Sequence, residues 1–461
     1  MPSLYIHVPF CLRKCAYCAF YSIPLTGCRE DLKALCLQAV TKEIKLRSKE
    51  AQEGVSSLFL GGGTPTALEP RELDSLLSAI HKNFSFRIPQ STASPAEGLE
   101  AQQKEDPDRN SKQSVLAQSI QLSAGGKEKE LKKCCREKSA AKPPKQTVEK
   151  TVEANPGTLT KEKLTALVSY GINRISLGAQ SFNDRMLTQI GRIHNTEDIW
   201  QSVRLIRQAG IHNLNLDLIF GLPGQTLADW QDTLRRAVEL EPEHLSLYAL
   251  TIEEGTPLGR MYGSYHGQGN QETDSQTKNR TSGLPLLPDD DLQADMYEWA
   301  AGFLQEQGYQ HYEISNFARA GFQCRHNLAY WQSEEYLGLG PGAVSCLRGI
   351  RTRNSEDLKI YEKLICSGRE AFDPAATEIL TREQLISEYM MLALRTAAGV
   401  DLAAFTDKFG QSVQDIYSSK LVKYMDREIL LLDRGRLKVH PNYYFVINSL
   451  LEDVMLAAKS N

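Results

Sequence analysis

The 461-residue chain lacks three features that would assign it to a broad class of protein. No apolar run approaches the roughly 20 residues that a membrane-spanning helix needs. The net charge of -4 gives no basic surface for nucleic acid. Fewer residues precede Cys11 than a cleavable targeting peptide would occupy. We therefore expect a cytoplasmic protein with no transmembrane segment and no nucleic-acid partner.

Aromatic residues are absent from residues 87–150, a stretch rich in Gln, Ser, Lys and Glu. Such a composition cannot bury enough apolar surface to offset the entropy of ordering the chain, so we expect a disordered insertion. It contains the neighbouring residues Cys134 and Cys135, which could form a redox pair or be two ordinary reduced thiols. A second polar stretch, residues 261–287, is predicted to be another insertion.

Cysteine is sparse, with ten residues in the chain, yet three lie close together near its start. Cys11, Cys15 and Cys18 have the spacing C-x3-C-x2-C. Ferredoxins close a four-iron cluster with four cysteines, so three would leave one iron open to another ligand. A zinc site and three unliganded thiols are the alternatives. The other seven cysteines have no pairing pattern, and we expect no disulfides.

Short apolar runs alternate with helical patterns over the first half of the chain. The runs that predict strands are Leu4–Val8, Ser57–Leu60, Thr151–Ala154, Arg174–Gly178, Asn213–Phe220 and His244–Leu250. Helical periodicity occupies the intervals, as in Glu30–Lys49, Lys161–Tyr170, Glu197–Ala209 and Leu227–Leu240. This alternation predicts an α/β fold, a partial (β/α)6 barrel whose site lies at the C-terminal ends of the strands.

The remaining chain is divided by its changes of pattern. We assign the barrel to residues 1–260 and a region that completes its side to residues 288–375. Residues 376–461 change to helices followed by a hairpin around Asp433–Arg436, which resembles a small winged-helix-like α+β domain. Such domains often bind DNA, but this one lacks a dense basic face, so a packing or lid role is favoured.

Polar or glycine-rich motifs follow the predicted strands. Gly61–Gly63 follows the second strand, where glycine lets the backbone approach a ligand closely. Glu153–Gly157 lies at the end of the third, Gln180 and Ser181 follow the fourth, and Asp217 is near the end of the fifth. A carboxylate there can bind ribose hydroxyls or an ammonium group. Each motif alone would also suit a solvated turn, but their common placement predicts a ligand site.

Together these segments resemble a known family. YIHVPFCLRKCAYC, GGGTPT, EANPG, GAQSF, GRIH, LDLIFGLPGQT and LYALTIEEGTP are similar to the oxygen-independent coproporphyrinogen oxidase family of radical SAM proteins. The resemblance implies a 4Fe–4S cluster on Cys11, Cys15 and Cys18, with S-adenosylmethionine (SAM) on the open iron. By motif position, the implied SAM-binding set is Tyr5, Gly62, Gly63, Thr64, Glu153, Gln180, Arg192 and Asp217. Arg192 would complement the carboxylate of SAM, and Glu153 its ammonium group.

Two departures separate the chain from the decarboxylating oxidases of that family. Those enzymes carry a further cysteine two positions after the third, where this chain has Phe20. They also have a long segment ahead of the cluster, where this chain has ten residues. Both departures disfavour coproporphyrinogen decarboxylation, which stays the alternative function.

The segment CRHNLAYW, Cys324–Trp331, resembles the HNxxYW motif of the HemW-type haem chaperone branch. Imidazole is a common axial ligand of haem iron, so His326 is the expected haem ligand. Tyr330 and Trp331 offer flat apolar faces, and Arg325 could pair with a propionate. A structural His-Asn turn packed by two aromatic residues is the plainer alternative.

The resemblance therefore implies a haem chaperone that holds a SAM-bound cluster and passes haem to apo-haemoproteins. Whether the protein is also an enzyme stays open. A radical enzyme acting on a tetrapyrrole in porphyrin biosynthesis is one alternative, and an interaction protein with a structural cluster is another. Peripheral association with a membrane would suit a haem donor to respiratory proteins, but no residue pattern indicates it.

Overall fold

One large sheet organises the described chain, which comprises residues 1–88, 147–263 and 284–456 of the computed structural model. The strands in chain order are β1 Ser3–Val8, β2 Phe10–Cys11, β3 Ile23–Pro24, β4 Ser57–Gly62, β5 Glu149–Ala154, β6 Arg174–Gln180, β7 Asn213–Phe220, β8 His244–Ala249, β9 Gln310–Glu313, β10 Asn316–Ala318, β11 Tyr336–Leu339, β12 Val344–Leu347, β13 Ile350–Arg353, β14 Glu378–Ile379, β15 Val400–Asp401, β16 Leu430–Asp433 and β17 Arg436–Val439. Strands β1 and β4–β8 pair in parallel in chain order. The predicted partial (β/α)6 barrel is confirmed, and its parallel strands all end at one mouth.

Helices connect these strands and cover the outside of the barrel. They are α1 Glu30–Arg47, α2 Pro70–Asn83, α3 Lys161–Ser169, α4 Asp184–Gln189, α5 Thr196–Gln208, α6 Leu227–Glu239, α7 Pro257–Tyr262, α8 Asp290–Glu306, α9 Arg325–Trp331, α10 Leu358–Cys366, α11 Arg382–Ala393, α12 Leu402–Phe409, α13 Val413–Met425 and α14 Ile447–Leu456. Reciprocal capping fixes several starts: Asn195 and Asp198 cap α5, and Thr226 and Asp229 cap α6.

The two faces of the barrel strands differ in polarity. Successive side chains of a strand point to opposite faces. The outward residues, such as Leu4, Leu58 and Leu216, are buried under the helices in the main apolar core. The inward residues include Arg174 and His244, both buried. Barrel interiors are usually filled by bulky branched side chains, so a polar interior indicates a function for that space.

Residues after 288 complete both edges of the sheet. Strand β11 pairs in parallel with β1, which makes it a seventh parallel strand, and β12–β14 continue from it in antiparallel pairs. On the other edge β10 pairs antiparallel with β8, and β9 follows. The two edges are therefore built from neighbouring parts of one segment.

The C-terminal region contains helices α11–α14 and a small sheet in the order β15-β17-β16. The hairpin predicted around Asp433–Arg436 is confirmed, since Leu432 in β16 pairs with Leu437 in β17. The predicted winged-helix-like α+β domain is confirmed with it. No helix of the described ranges is long and apolar enough to cross a bilayer.

The predicted insertion bounds need one correction. Strand β5 begins at Glu149, inside the predicted 87–150 insertion, because Lys150 lies over the Phe86 ring and joins the sheet beside Leu58. Most of that insertion, with Cys134 and Cys135, lies outside the described residues, as does most of 261–287. The eight cysteines of the described ranges are all free thiols. The domain boundaries at 260, 287 and 375 stay predictions.

Candidate functional site at the barrel mouth

The three clustered cysteines lie on the loop that leaves β1. Cys11 ends the short strand β2, and Cys15 and Cys18 follow within a tight turn in which Cys18 N donates to Cys15 O at 3.3 Å. The backbone of Ala16 fastens this loop, because its N–H donates to Ile190 O at 2.9 Å and its carbonyl accepts from Leu258 N at 2.9 Å. All three thiols are partly exposed.

Two side chains from other loops, one after β4 and one after α4, contact the thiols. Thr64 Oγ1 donates to Cys11 Sγ at 3.5 Å, and Arg192 Nη1 donates to Cys15 Sγ at 3.3 Å. Burial raises the pKa of the Cys11 and Cys18 thiols, so a bound metal would be needed to keep them as thiolates.

The donor set fits a cluster better than a single ion. One ion would need several donors that converge on a point, and no such group of His, Cys, Asp or Glu occurs in the described residues. A four-iron cluster instead presents a separate iron to each thiolate, and three thiols leave one iron open.

The glycine run after β4 packs directly against the cysteine strand. Gly62 has φ +101°, and a Cβ there would collide with the imidazole of His7. A Cβ on Gly63 would lie 2.6 Å from Phe10 O. Because side chains are excluded, the Gly62 amide reaches the Glu153 carboxylate and donates to Oε2 at 3.1 Å. The run therefore exposes backbone to the mouth, as its sequence predicts.

Arg192 occupies the centre of a network that the motifs alone did not predict. Its Nη2 donates to Asn155 Oδ1 at 2.6 Å and to Gly178 O at 2.7 Å, and Asn155 Nδ2 donates to Thr64 Oγ1 at 2.7 Å. Asn155 thus links two expected SAM residues although it was not among them. Its position in EANPG, at the end of β5, was the available signal. An open depression of ≈ 310 Å³ borders Asn155 and Arg192 beside Cys15.

Two carboxylates face the barrel interior below this network. Burial and the neighbouring charge of Asp217 raise the pKa of Glu153 to about 8. Burial also raises the pKa of Asp217, whose oxygens accept from Asn215 Nδ2 at 2.8 Å and Ser176 Oγ at 3.0 Å. Both carboxylates are only half-buried. The interior is therefore open on the mouth side, with acidic groups available to a cationic ligand.

Two further expected residues complete the mouth. Gln180, the last residue of β6, has φ +66°, and non-glycine residues in this region often mark functional sites. Tyr5 Oη lies 3.0 Å from His7 Nδ1, which connects β1 to the site. The structure therefore brings Thr64 and Arg192 into contact with Cys11 and Cys15 and groups the rest of the expected set along the barrel interior at the mouth side. The full set is Tyr5, Gly62, Gly63, Thr64, Glu153, Gln180, Arg192 and Asp217, with Cys11, Cys15 and Cys18 on the loop.

His326 lies at the opposite end of the barrel from the cysteine loop. It belongs to α9, its Nδ1 is 2.8 Å from Oγ of Ser57 at the start of β4, and its ring stacks on Phe59 at 5.0 Å. The side chain is 2% exposed, and Nε2 has no hydrogen-bond partner among the described residues. Burial, with the charge of Arg174, lowers its pKa to about 3.

The aromatic and cationic neighbours of His326 are also engaged. Tyr330 contacts the imidazole edge-on at 5.1 Å, and Arg325 Nη1 donates to Thr147 O at 3.1 Å. Glu149 accepts the backbone N–H groups of Arg325 and His326, each at 3.1 Å. The motif helix therefore closes the barrel end, and haem could reach His326 only if α9 moved.

Comparisons with known proteins give consistent results. The model of the Radical SAM superfamily matches residues 5–237, and that of the HemN C-terminal domain matches residues 380–442. The protein named Heme chaperone HemW from Lactococcus lactis is 30% identical over 98% of this chain and 97% of its own. Its namesake from Bacillus subtilis is 33% identical over 93% of each. The solved structure of coproporphyrinogen III oxidase (HemN) from Escherichia coli has a TM-score of 0.70 at 22% identity, covering 99% of this chain and 90% of that one.

Proposed function

The chain belongs to the radical SAM superfamily and within it to the HemW family, and on that premise we propose that it is a haem chaperone. It binds a SAM-liganded 4Fe–4S cluster and haem, and it transfers haem to apo-haemoproteins in the cytoplasm. The observation that carries this proposal is the likeness, over nearly the whole chain, to relatives named Heme chaperone HemW. The CRHNLAYW segment supports it.

The mouth residues have defined parts in this proposal. Cys11, Cys15 and Cys18 hold the cluster, which together with SAM supplies one-electron chemistry when bound. Glu153 attracts the ammonium group of SAM, and the Arg192 guanidinium its carboxylate. Tyr5, Gly62, Gly63, Thr64, Gln180 and Asp217 complete the SAM-binding set.

His326 is the proposed haem ligand. Its Nε2, which has no partner among the described residues, is the feature that supports this role. Leaving a buried polar atom unpaired costs free energy, so such an atom in a folded protein calls for an explanation, and ligand binding is one. Coordination requires α9 to move away from Ser57 and Phe59. The proposal therefore includes an opened state of this barrel end in which the imidazole meets the iron.

Anaerobic haemin titration of the cluster-loaded protein, with and without SAM, tests the proposal. We expect saturable binding with a Soret spectrum that changes in His326→Ala. His311→Ala, which removes a histidine stacked on Phe317 away from the motif, is the matched control and should leave the spectrum unchanged. No binding by the parent protein would overturn the chaperone proposal, and an unchanged spectrum in His326→Ala would remove only this ligand.

A radical enzyme acting on a tetrapyrrole is the second candidate, and the position of the expected SAM-binding residues at the mouth favours it. Phe20 argues against the decarboxylating form, since it is 75% exposed beside Cys18 where those oxidases carry a further cysteine. Incubation with coproporphyrinogen, SAM and a reductant should give no carbon dioxide. Release at catalytic turnover would favour the oxidase instead.

A further inference from the structure

A continuous chain of hydrogen bonds crosses the barrel interior from α9 to Asp217. It begins at Cys324 N, which donates to Tyr312 Oη at 3.2 Å. Tyr312 Oη lies 2.7 Å from His244 Nε2, and His244 Nδ1 lies 2.6 Å from Asn215 Oδ1. Asn215 Nδ2 then donates to Asp217 Oδ1 at 2.8 Å. The four residues before Asp217 are buried, so water does not compete for these bonds.

The two ends of the chain fix the direction of every bond. Asp217 as a carboxylate only accepts, so Asn215 must present its amide NH2 to it and its Oδ1 to His244. His244 must then carry its proton on Nδ1 and accept at Nε2 from the Tyr312 hydroxyl. The Cys324 N–H can only donate, and it donates to the hydroxyl oxygen of Tyr312. A single arrangement of protons therefore satisfies the whole chain.

The surrounding contacts hold this arrangement in place. Asn215 Nδ2 also donates to Ser176 Oγ at 2.7 Å, and its Oδ1 also accepts from Ser246 Oγ at 3.1 Å. Ser176 in turn donates to Asp217. Rotation of Asn215 would leave several buried groups unpaired, at about 1–3 kcal/mol for each. Burial and the charge of Arg174 lower the pKa of His244 well below its usual value, so the imidazole stays neutral.

We propose that His244 is a positioning residue for Asp217, and that this chain couples SAM binding at the mouth to the seating of α9 at the opposite end. The inference rests on the proposed role of Asp217 in binding SAM. A ligand that fixes Asp217 stabilises the ordered chain and with it the Cys324 end of α9. Coupling of binding equilibria is reciprocal. A ligand that binds only when α9 has moved out of place must therefore weaken SAM binding by the same factor by which SAM weakens the binding of that ligand.

Hydrogen exchange of the cluster-loaded protein, with and without SAM, tests the coupling at a place that SAM does not touch. We expect SAM to slow exchange of the amides in residues 324–331 about threefold or more in the parent protein. Tyr312→Phe breaks the chain but keeps the ring, and it should bring this ratio close to one. Tyr309→Phe is the matched control, because Tyr309 Oη is also buried but donates to Pro242 O, which is not part of this chain of hydrogen bonds. It should respond as the parent does.

The outcomes separate this inference from the proposed function. If Asp217→Asn binds SAM as tightly as the parent, the SAM role of Asp217 is wrong. If Asp217→Asn weakens SAM binding tenfold or more, about 1.4 kcal/mol, while Tyr312→Phe keeps the SAM-dependent protection, the coupling alone is wrong. The parent is decisive without any variant, because SAM binding that leaves residues 324–331 unprotected overturns the coupling. Nitrogen NMR that finds His244 protonated on Nε2 would overturn the bond directions.

Discussion

Strand β5 carries a glutamate at each end of the barrel, and the two have different surroundings. Glu149 is 6% exposed and accepts from three donors at the start of α9: Cys324 Sγ and the backbone N–H groups of Arg325 and His326. Glu153 is half-buried and accepts from Gly62 N. At the end near Glu149 the carboxylate is fully used in holding the start of α9, which closes the barrel. At the mouth near Glu153 acidic groups stay available to a ligand.

The difference bears on where each ligand can bind without rearrangement. The proposed SAM residues line an open mouth, so we expect SAM binding to need little movement of the backbone. His326 lies behind Phe59 in the closed end, so the proposed coordination of haem would have to offset the cost of moving α9 out of place. Haem binding should therefore be slower than SAM binding, since a conformational change lowers association rates.

Glu149→Ala should produce the largest effect. It leaves three donors at the start of α9 without their acceptor, two of them buried and the Arg325 N–H partly buried, and hydrogen bonds to charged groups are worth about 1.5–3 kcal/mol each before relaxation. We expect the free energy of unfolding, measured in urea, to fall by about 3 kcal/mol. SAM affinity should change less than about threefold, because Cys324 N still donates to Tyr312.

Glu153→Ala on the same strand is the matched control. Its loss removes one accepted bond at a half-buried position, so stability should change by less than about 1 kcal/mol. SAM binding should instead weaken tenfold or more, about 1.4 kcal/mol. If the two variants lost the same unfolding free energy and the same SAM affinity, the contrast between the two barrel ends would be wrong.

Two glycine substitutions test whether close backbone packing at the mouth matters for SAM binding. Gly62→Ala places a Cβ against the His7 ring at φ +101°, and we expect a loss of about 2 kcal/mol in stability with weaker SAM binding. Gly157 also has a positive φ, +82°, but no atom of the described residues lies within 4 Å of its Cβ position. Gly157→Ala should therefore cost only the backbone strain, about 1 kcal/mol, and leave SAM affinity unchanged. If both variants lost the same stability and the same SAM affinity, the close approach of the Gly62 backbone would have no role in SAM binding.

The sequence was sufficient for the mouth because its motifs follow strand ends in order. Parallel strands bring their C-terminal ends together, so Gly62 and Glu153 could be placed near the cysteines without knowing a single contact. Arg192 follows helix α4 and is placed there by the family resemblance alone. The position of His326 could not be predicted in the same way. It depends on α9 turning into the far end of the barrel, a long-range contact made through Glu149 that no local pattern encodes. Strand β11 was missed for a related reason, since its parallel partner β1 lies more than 300 residues earlier.

A last expected effect is a pH dependence that comes from Glu153. Burial and Asp217 raise its pKa in the folded protein to about 8, above the ordinary 4.5 of an unfolded chain, while Arg174 and the Gly62 amide act in the opposite direction. The folded state therefore holds this proton more tightly. Its contribution to stability is complete below pH 4.5 and is lost as pH rises towards 8.

Glu153→Gln cannot lose that proton, so its unfolding free energy should exceed that of the parent by an amount that grows between pH 5 and pH 8. The carboxyl is partly open to solvent, so we expect a difference of about 1–2 kcal/mol at pH 8 and none at pH 5. Urea unfolding at several pH values measures it, with Glu149→Gln as the control from the closed end. A difference that stays constant with pH would mean that Glu153 is already ionised at neutral pH. The mouth would then attract the SAM ammonium group without first releasing a proton.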